Sequence, residues 1–155
     1  MNPRAVLGDE GYRALAEFRC ALRRYEAASE AIARQEGLPA RQLAALMALA
    51  GHPNRTMAVG DLAKELVLTH NATVELTQRA EAAGLLRRRP DPNRGRHVLL
   101  TLSTKGAALL ERAASRHVLE LSEPRQDLVD SLAHWCAALD REAAAVAPDA
   151  DGPSP

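Results

Sequence analysis

The chain has 155 residues, enough for one domain with a hydrophobic core, and its 20 basic and 20 acidic side chains leave no net charge at pH 7. Aromatic residues make up only 3% of the chain, which counts against single-stranded nucleic-acid modules that stack bases on aromatic rings. No apolar run is long enough to span a membrane. The two cysteines, Cys20 and Cys136, form neither a CxxC motif nor a disulfide framework. We therefore expect a cytoplasmic, mainly helical protein.

Two amphipathic helices are predicted at the start of the chain. The first runs from about Asp9 to Glu36 and ends at Gly37. Pro39 suits the first position of a second helix, which ends at Gly51. The residues that recur at steps of three and four are Leu15, Phe18, Leu22, Tyr25, Ser29 and Ile32 in the first helix, and Leu43, Leu46, Met47 and Ala50 in the second.

Two shorter helices and a hairpin are predicted in the middle of the chain. The third helix lies near Gly60 to Leu66, and the fourth begins at Thr69 or His70 and is capped by Gly84. A strand over residues 85–90, a Pro/Asn/Gly turn and a returning strand with Val98, Leu100 and Leu102 on one face complete a β-hairpin. The order helix, turn, helix, hairpin predicts a winged helix-turn-helix, which places its second helix in the DNA major groove.

Long helices are predicted on both sides of this module. Ser103 is a suitable N-cap for a fifth helix that extends to about Leu121. A sixth helix carries Leu128, Leu132, Trp135 and Leu139 at coiled-coil spacing. The apolar stripes of the terminal helices need a partner surface, so we expect a two-fold homodimer. The expected organisation is a single domain, with dimerisation helices at 9–38 and 104–147, a DNA-binding lobe at 39–103 and a disordered tail at 148–155.

Basic charge is concentrated in the fourth helix and the hairpin. From Arg79 to His97 there are six arginines against Glu81 and Asp91, so this segment carries +4, whereas the remainder of the neutral chain carries −4. A local cationic segment on an otherwise acidic molecule is typical of a phosphate-binding surface.

Three stretches of the chain carry a family resemblance. They are DLAKEL at 61–66, THNATVELTQRAEAAGLLRR at 69–88 and DPNRGRHVLLTLSTKG at 91–106. In this order they resemble the MarR (multiple antibiotic resistance regulator) family of bacterial transcription regulators. The resemblance implies a homodimeric repressor that binds a pseudo-palindromic operator and is released by a small apolar or phenolic ligand. The wing departs from the family pattern, because Arg94 stands where an aspartate usually orients the wing arginine, here Arg96.

The expected contacts to double-stranded DNA come from the fourth helix and the wing. Asn71 can read adenine through two hydrogen bonds, and wing arginines can grip phosphates or enter the minor groove. Glu75 either reads a cytosine amino group or pairs with Arg79. One of the three arginines at 87–89 is expected to form an internal ion pair with Glu81 or Asp61. The predicted DNA-binding residues are Thr69, His70, Asn71, Thr73, Val74, Gln78, Arg87, Arg94 and Arg96.

Other functions compete with DNA binding. Tyr25, His52 and Trp135 are candidates for an effector pocket. Cys20, beside Arg19 and Arg23, could be a redox sensor, although a cysteine on an alanine-rich helix is more often apolar filler. Cys136 is expected in the core. The histidines lack metal-ligand spacing and no catalytic motif is present, so we expect no enzyme, cofactor or metal site. The alternative from another class is a helical protein-interaction module whose winged helix no longer binds DNA.

Overall fold

The computed structural model describes residues 7–95 and 97–146. Helices α1 (Asp9–Gln35) and α2 (Ala40–Gly51) are followed by a short 3-10 turn at Pro53–Arg55. Next come β1 (Thr56–Ala58), α3 (Val59–Glu65), α4 (His70–Ala82), β2 (Leu86–Pro90) and β3 (Val98–Leu102). The described chain ends with α5 (Thr104–Glu120) and α6 (Ser122–Val146). The expected fold class, mainly helical with a small β-hairpin wing, is confirmed.

The chain divides into two compact units, of which the second is Ser29–Leu119. Its core packs α2, α3 and α4 against an antiparallel sheet of order β1-β3-β2. In this sheet Met57 pairs with Leu100, and Arg88 pairs with Leu100 on the other side. The central position of β3 explains why Leu100 is fully buried. The other large side chains at the centre of this unit are Ile32, Leu46, Leu49, Met57, Leu62, Leu85 and Leu86.

The first unit combines residues 1–28 with 120–155, and its described part contains α6 and the N-terminal part of α1. Phe18 of α1 stacks on Trp135 of α6 with ring centroids 5.2 Å apart. Small residues on both helices, including Ala14 and Ala138, are buried beside this pair. Ion pairs such as Arg24–Asp127, at 3.3 Å, lie at the edges of the contact. Part of the apolar stripe predicted on α6 therefore packs against α1 of the same chain.

Some sequence expectations were wrong in detail. Strand β1 was not predicted, because three residues carry too little pattern to reveal a strand that exists by pairing with β3. Pro39 is the N-cap of α2 rather than its first helical residue. Cys136 is exposed on α6, not in the core, because it lies beside rather than on the face that packs on α1.

The domain boundaries remain predictions, and the predicted tail at 148–155 lies outside the described residues. Among the described residues, no helix is both long enough and apolar enough to cross a lipid bilayer.

Candidate nucleic-acid interface

Both ends of α4 are fixed by local hydrogen bonds. Thr69 is the N-cap, and its hydroxyl oxygen accepts a hydrogen bond from the Ala72 N–H at 3.2 Å. At the other end Gly84 adopts φ +74°, and the N–H groups of Gly84 and Leu85 donate to the carbonyls of Glu81 and Ala80. A left-handed residue after a helix allows these bonds, and glycine adopts that conformation without strain. The predicted start and cap of this helix therefore agree with the structure.

The inward face of α4 contains two threonines. Thr73 and Thr77 are 0% exposed, and their hydroxyls donate to the carbonyls of Thr69 and Val74, each at 3.0 Å. The prediction that Thr73 contacts DNA is therefore wrong, because its side chain lies in the core with Leu76 and its hydroxyl is already satisfied. The physical reason is that a threonine can bury its methyl group on a helix when its hydroxyl bonds to the preceding turn.

The outward face of α4 carries the remaining candidates. His70, Asn71 and Gln78 are exposed and Val74 is partly exposed, so the structure places these side chains toward solvent. Glu75 forms an ion pair with Arg79 at 3.7 Å, which agrees with one of the two roles expected for it. The pairing offsets the charge that would otherwise repel a phosphate backbone.

Two of the three arginines of β2 face solvent and one turns toward the interior. Arg87 and Arg89 are exposed, whereas Arg88 is partly buried and its Nε is buried without a hydrogen-bond partner among the described residues. Glu81 accepts a hydrogen bond from the backbone N–H of Arg88 at 3.0 Å. No ion pair joins a β2 arginine to Glu81 or Asp61 in the described chain, so that expectation was wrong: alternation turns Arg88 inward, but Glu81 bonds its backbone instead.

The wing turn is closed by backbone hydrogen bonds. The Asp91 N–H donates to the His97 carbonyl at 2.8 Å, and the Asn93 N–H donates to the Asp91 carboxylate at the same distance. Arg94 is exposed at this turn. Arg96 lies outside the described residues, so its predicted role is not addressed by the structure.

Asp61, in the first turn of α3, is an electrostatic neighbour of Arg94 in the wing turn, whereas the sequence suggested it as a partner for an arginine of β2. Its carboxylate accepts a hydrogen bond from the Lys64 ammonium at 3.0 Å. This hydrogen bond and the charge of Lys64 hold the pKa of Asp61 below its ordinary value, with smaller contributions from His52 and Arg94. The charge of Arg94 therefore contributes to the low pKa of an acidic group of the helix-turn-helix.

The first turn of α5 binds the end of α4. Ser103 Oγ donates to the Gly84 carbonyl at 2.6 Å and accepts from the Gly106 N–H at 2.9 Å, which confirms the expected N-cap. Lys105 Nζ donates to the Ala83 carbonyl at 2.8 Å. A Cβ atom on Gly106 would lie 1.9 Å from the Leu85 carbonyl oxygen, so only glycine fits at this position. A cation beside free carbonyls at a helix C-terminus is favourable.

The candidate effector and redox residues are distributed over both units. Tyr25 and Trp135 belong to the first unit and His52 to the second. The His52 Nδ1 lies 3.2 Å from the Pro53 carbonyl, whereas Trp135 Nε1 is buried without a partner among the described residues. Cys20 is partly buried and lines a cleft of about 390 Å³ between α1 and α6. No set of three or more potential metal ligands occurs in the part of the chain that the structure describes.

The helix-turn-helix and the start of the wing coincide with a known sequence family. Residues 36–97 match the family model described as "MarR family". The chain has the fold of MarR family transcriptional regulators. The resemblance read from the three sequence stretches is thereby confirmed. No curated protein sequence matches the chain.

Solved structures of MarR family proteins superpose along most of the chain. AbsC from Streptomyces coelicolor is 21% identical, with a TM-score of 0.72, and the match covers 91% of this chain and 97% of AbsC. Sco3205 from the same organism, solved in complex with DNA, is 24% identical with a TM-score of 0.70 and 98% and 97% coverage. A cysteine-to-serine mutant of Escherichia coli MarR, complexed with operator DNA, is 24% identical, with a TM-score of 0.62 and 84% and 90% coverage.

Proposed function

We propose that the protein is a sequence-specific regulator of transcription that binds double-stranded DNA as a homodimer. One observation carries the proposal: α4 presents His70, Asn71 and Gln78 to solvent beside a hairpin rich in exposed arginines. Two similar structures, Sco3205 and the MarR mutant, are complexes with DNA. Repression of a pseudo-palindromic operator is the mode of action that we propose, because two-fold dimers bind sites of matching symmetry.

In the proposed complex α4 lies in the major groove. Asn71, in the first turn of α4, is positioned to accept from and donate to an adenine, while the partly exposed Val74 can contact a thymine methyl group. Arg87, Arg94 and Arg96 supply positive charge to the phosphates or the minor groove. Thr69 contributes through its place at the helix N-terminus, where a phosphate is favourable.

The alternative is a protein-interaction module that no longer binds DNA. Two features favour it: Arg94 in the wing and Glu75 on the reading helix. The ion pair between Glu75 and Arg79 weakens the argument from Glu75, because it offsets the negative charge that would repel a phosphate. The structure does not address the argument from Arg94, because Arg96, the arginine that the missing aspartate would orient, lies outside the described residues.

A salt series of mobility shifts separates the two functions. The probe is a duplex selected in vitro from a random pool with the wild-type protein. We expect Arg94→Ala and Arg96→Ala to flatten the slope of log K against log salt by about 0.9 for each phosphate that the variant no longer neutralises. Asn71→Ala is expected to relax sequence preference while leaving that slope unchanged. If the wild-type protein binds no duplex at low salt, DNA binding is excluded and the interaction-module alternative is favoured.

We propose, in addition, that a small apolar or phenolic effector releases the protein by favouring a conformation that does not match the operator. Tyr25, His52 and Trp135 are the proposed pocket residues. The lesser alternative is a redox signal at Cys20. The redox alternative is tested by measuring operator binding by wild-type and Cys20→Ser protein before and after mild peroxide. We expect that peroxide changes the operator affinity of neither protein. Loss of binding in the wild type alone, reversed by a thiol reductant, would establish redox control.

A further inference from the structure

A cleft of about 380 Å³ lies in the second unit between the C-terminal part of α1, the N-terminus of α2 and one side of α4. Leu38 and Leu76 form an apolar part of its wall. Its charged residues are Arg34, Arg41 and Arg79 against Glu30, so the lining has an excess of positive charge. Arg34 pairs with Glu30 at 3.9 Å and Arg79 with Glu75, whereas Arg41 is exposed and makes no ion pair with a described residue.

The N-terminus of α2 supplies free N–H groups to this cleft. The N-cap, Pro39, offers no side-chain hydrogen bond, and the N–H groups of Ala40 and Arg41 bond to no described residue. Unsatisfied N–H groups and the helix dipole make such an end favourable for an anion. A helix terminus alone does not define a binding site, because many are simply hydrated.

Gln42 provides an independent indication of a ligand. The residue is only 9% exposed, lines the cleft, and its side-chain amide makes no hydrogen bond to any described residue. Its backbone N–H is already used by the Pro39 carbonyl at 2.9 Å. Its amide atoms are not among the described side-chain atoms that are fully buried without a partner, so they face the open cleft, where a group from outside the chain can bond to them. An anionic oxygen placed in the cleft would be able to accept from the amide nitrogen of Gln42 and to interact with Arg41, since both residues line it.

The position of the cleft beside α4 indicates which anion it takes. An α-helix about 10 Å wide fills a major groove about 12 Å wide, so its flanks face the two phosphate chains. Gln78 lies on the face of α4 that we propose contacts the bases. Arg79 is about 100° further around the helix and therefore lies on one flank of α4. We propose that this cleft binds one phosphate of the DNA backbone, held by Arg41, Gln42 and the N-terminus of α2. This inference rests on the proposed function and extends the interface beyond α4 and the wing.

The test uses the full-length protein and the duplex selected with wild type. Arg41→Ala should reduce the salt slope by about 0.9 per subunit, because one phosphate is no longer neutralised. Gln42→Leu, which keeps the volume but removes the amide, should lower affinity by about twofold to tenfold without changing the slope, since the amide is uncharged. The matched control is Arg125→Ala, which removes an exposed arginine of α6 that has no ion pair among described residues and should leave the slope unchanged.

Replacing single phosphates of the duplex by methylphosphonates then locates the contact. One substitution should weaken binding by wild type but not by Arg41→Ala. If wild type binds the duplex and Arg41→Ala matches it at every salt concentration, the inference is overturned while the proposed function stands. If wild type binds no duplex, both fail. If inorganic phosphate shifts the Gln42 amide resonance but both variants bind duplex as wild type does, the cleft takes a free anion and the assignment to DNA is wrong.

Discussion

At the scale of single residues, the turn between α3 and α4 contains an unusual backbone conformation. Val67 has φ +53° and is 90% exposed. Its N–H donates to the Lys64 carbonyl, and the next N–H, of Leu68, donates to the Ala63 carbonyl. These bonds end α3 in the manner that normally selects glycine. A β-branched residue is strained there.

We predict that Val67→Gly stabilises the protein. Relief of left-handed strain exceeds the extra entropy that glycine has in the unfolded chain, so the free energy of unfolding should rise by about 0.5–1 kcal/mol. Urea denaturation measures the change. The matched control is Val67→Ala, which keeps a Cβ and should gain less. A decrease in stability for Val67→Gly would show that the exposed valine side chain makes a stabilising contact.

The close approach of Gly106 to Leu85 leads to a second prediction. A Cβ at Gly106 meets backbone, which cannot move aside as a flexible side chain can. Gly106→Ala should therefore lower the free energy of unfolding by about 2–3 kcal/mol. Gly60→Ala is the control, because a Cβ there has nothing within 4 Å and alanine favours the helix. Equal thermal stability of Gly106→Ala and wild type would mean that α5 shifts freely.

Sequence reasoning located most of the solvent-exposed face of α4 but assigned Thr73 to it wrongly. Asn71 and Gln78 were placed correctly at the surface, since polar residues with this spacing have few other roles. Thr73 was misplaced because threonine is compatible with both faces of a helix, and only tertiary packing decides. Arg88 posed the same difficulty on β2, where three consecutive arginines conceal the alternation that would identify the inward one.

At the scale of secondary-structure elements, the end of α1 is joined to α5 through one carboxylate. Glu36, whose side chain is 8% exposed, accepts from Arg116 Nε at 2.9 Å and from Arg112 Nε at 3.0 Å. These two hydrogen bonds, that of Arg116 first, hold the pKa of Glu36 below its ordinary value of 4.5. Both partners lie on the same face of α5, one helical turn apart.

The lowered pKa predicts how stability responds to acid. A carboxyl group whose pKa is lower in the folded chain stabilises the fold above its unfolded pKa and loses that contribution as pH falls through the folded value. Glu36→Gln should therefore melt at a lower temperature than wild type at neutral pH, and the gap should narrow as pH falls below about 4.5. Glu111→Gln on α5 is the control. A gap independent of pH would assign the effect of Glu36 to packing alone.

The elements themselves were largely predictable, and the exceptions have physical causes. Long helices can be recognised from the periodicity of their apolar residues. Gly84 and Ser103 mark helix boundaries because glycine and serine favour helix ends. Strand β1 has no such marker, because its existence depends on an open edge of β3. The cleft at the N-terminus of α2 was equally hidden, since Gln42 looks like an ordinary polar residue until its burial is known.

At the scale of the whole molecule, large apolar side chains remain exposed on the C-terminal helices. Those on α5 and α6 are Val118, Leu119, Val129, Leu132 and Leu139. Val129, Leu132 and Leu139 follow one another by three and seven residues and therefore lie on one face of α6, and such an apolar stripe indicates an interaction site. A second copy of the chain is the partner that we propose.

We predict a dimer at micromolar concentration. Leu132→Asp should produce monomers, because it would bury an unpaired charge between the copies. Ala137→Asp, on the opposite side of α6, introduces the same charge and should leave the dimer intact. Analytical ultracentrifugation distinguishes the states. A wild-type protein that sediments as a monomer throughout the micromolar range would contradict the proposed assembly.

The first turn of α5 holds the last carbonyls of α4, so these two helices share a pivot. The 13 residues of α4 extend about 20 Å from this pivot to the turn that carries Asn71. A tilt of about 5° at the pivot would displace that turn by about 1.7 Å, more than a hydrogen bond to a base edge tolerates. A signal that moves α5 by so small an angle would be amplified at the far end of α4. In the proposed complex with DNA, a ligand that touches none of the proposed base-contacting residues would then switch binding off.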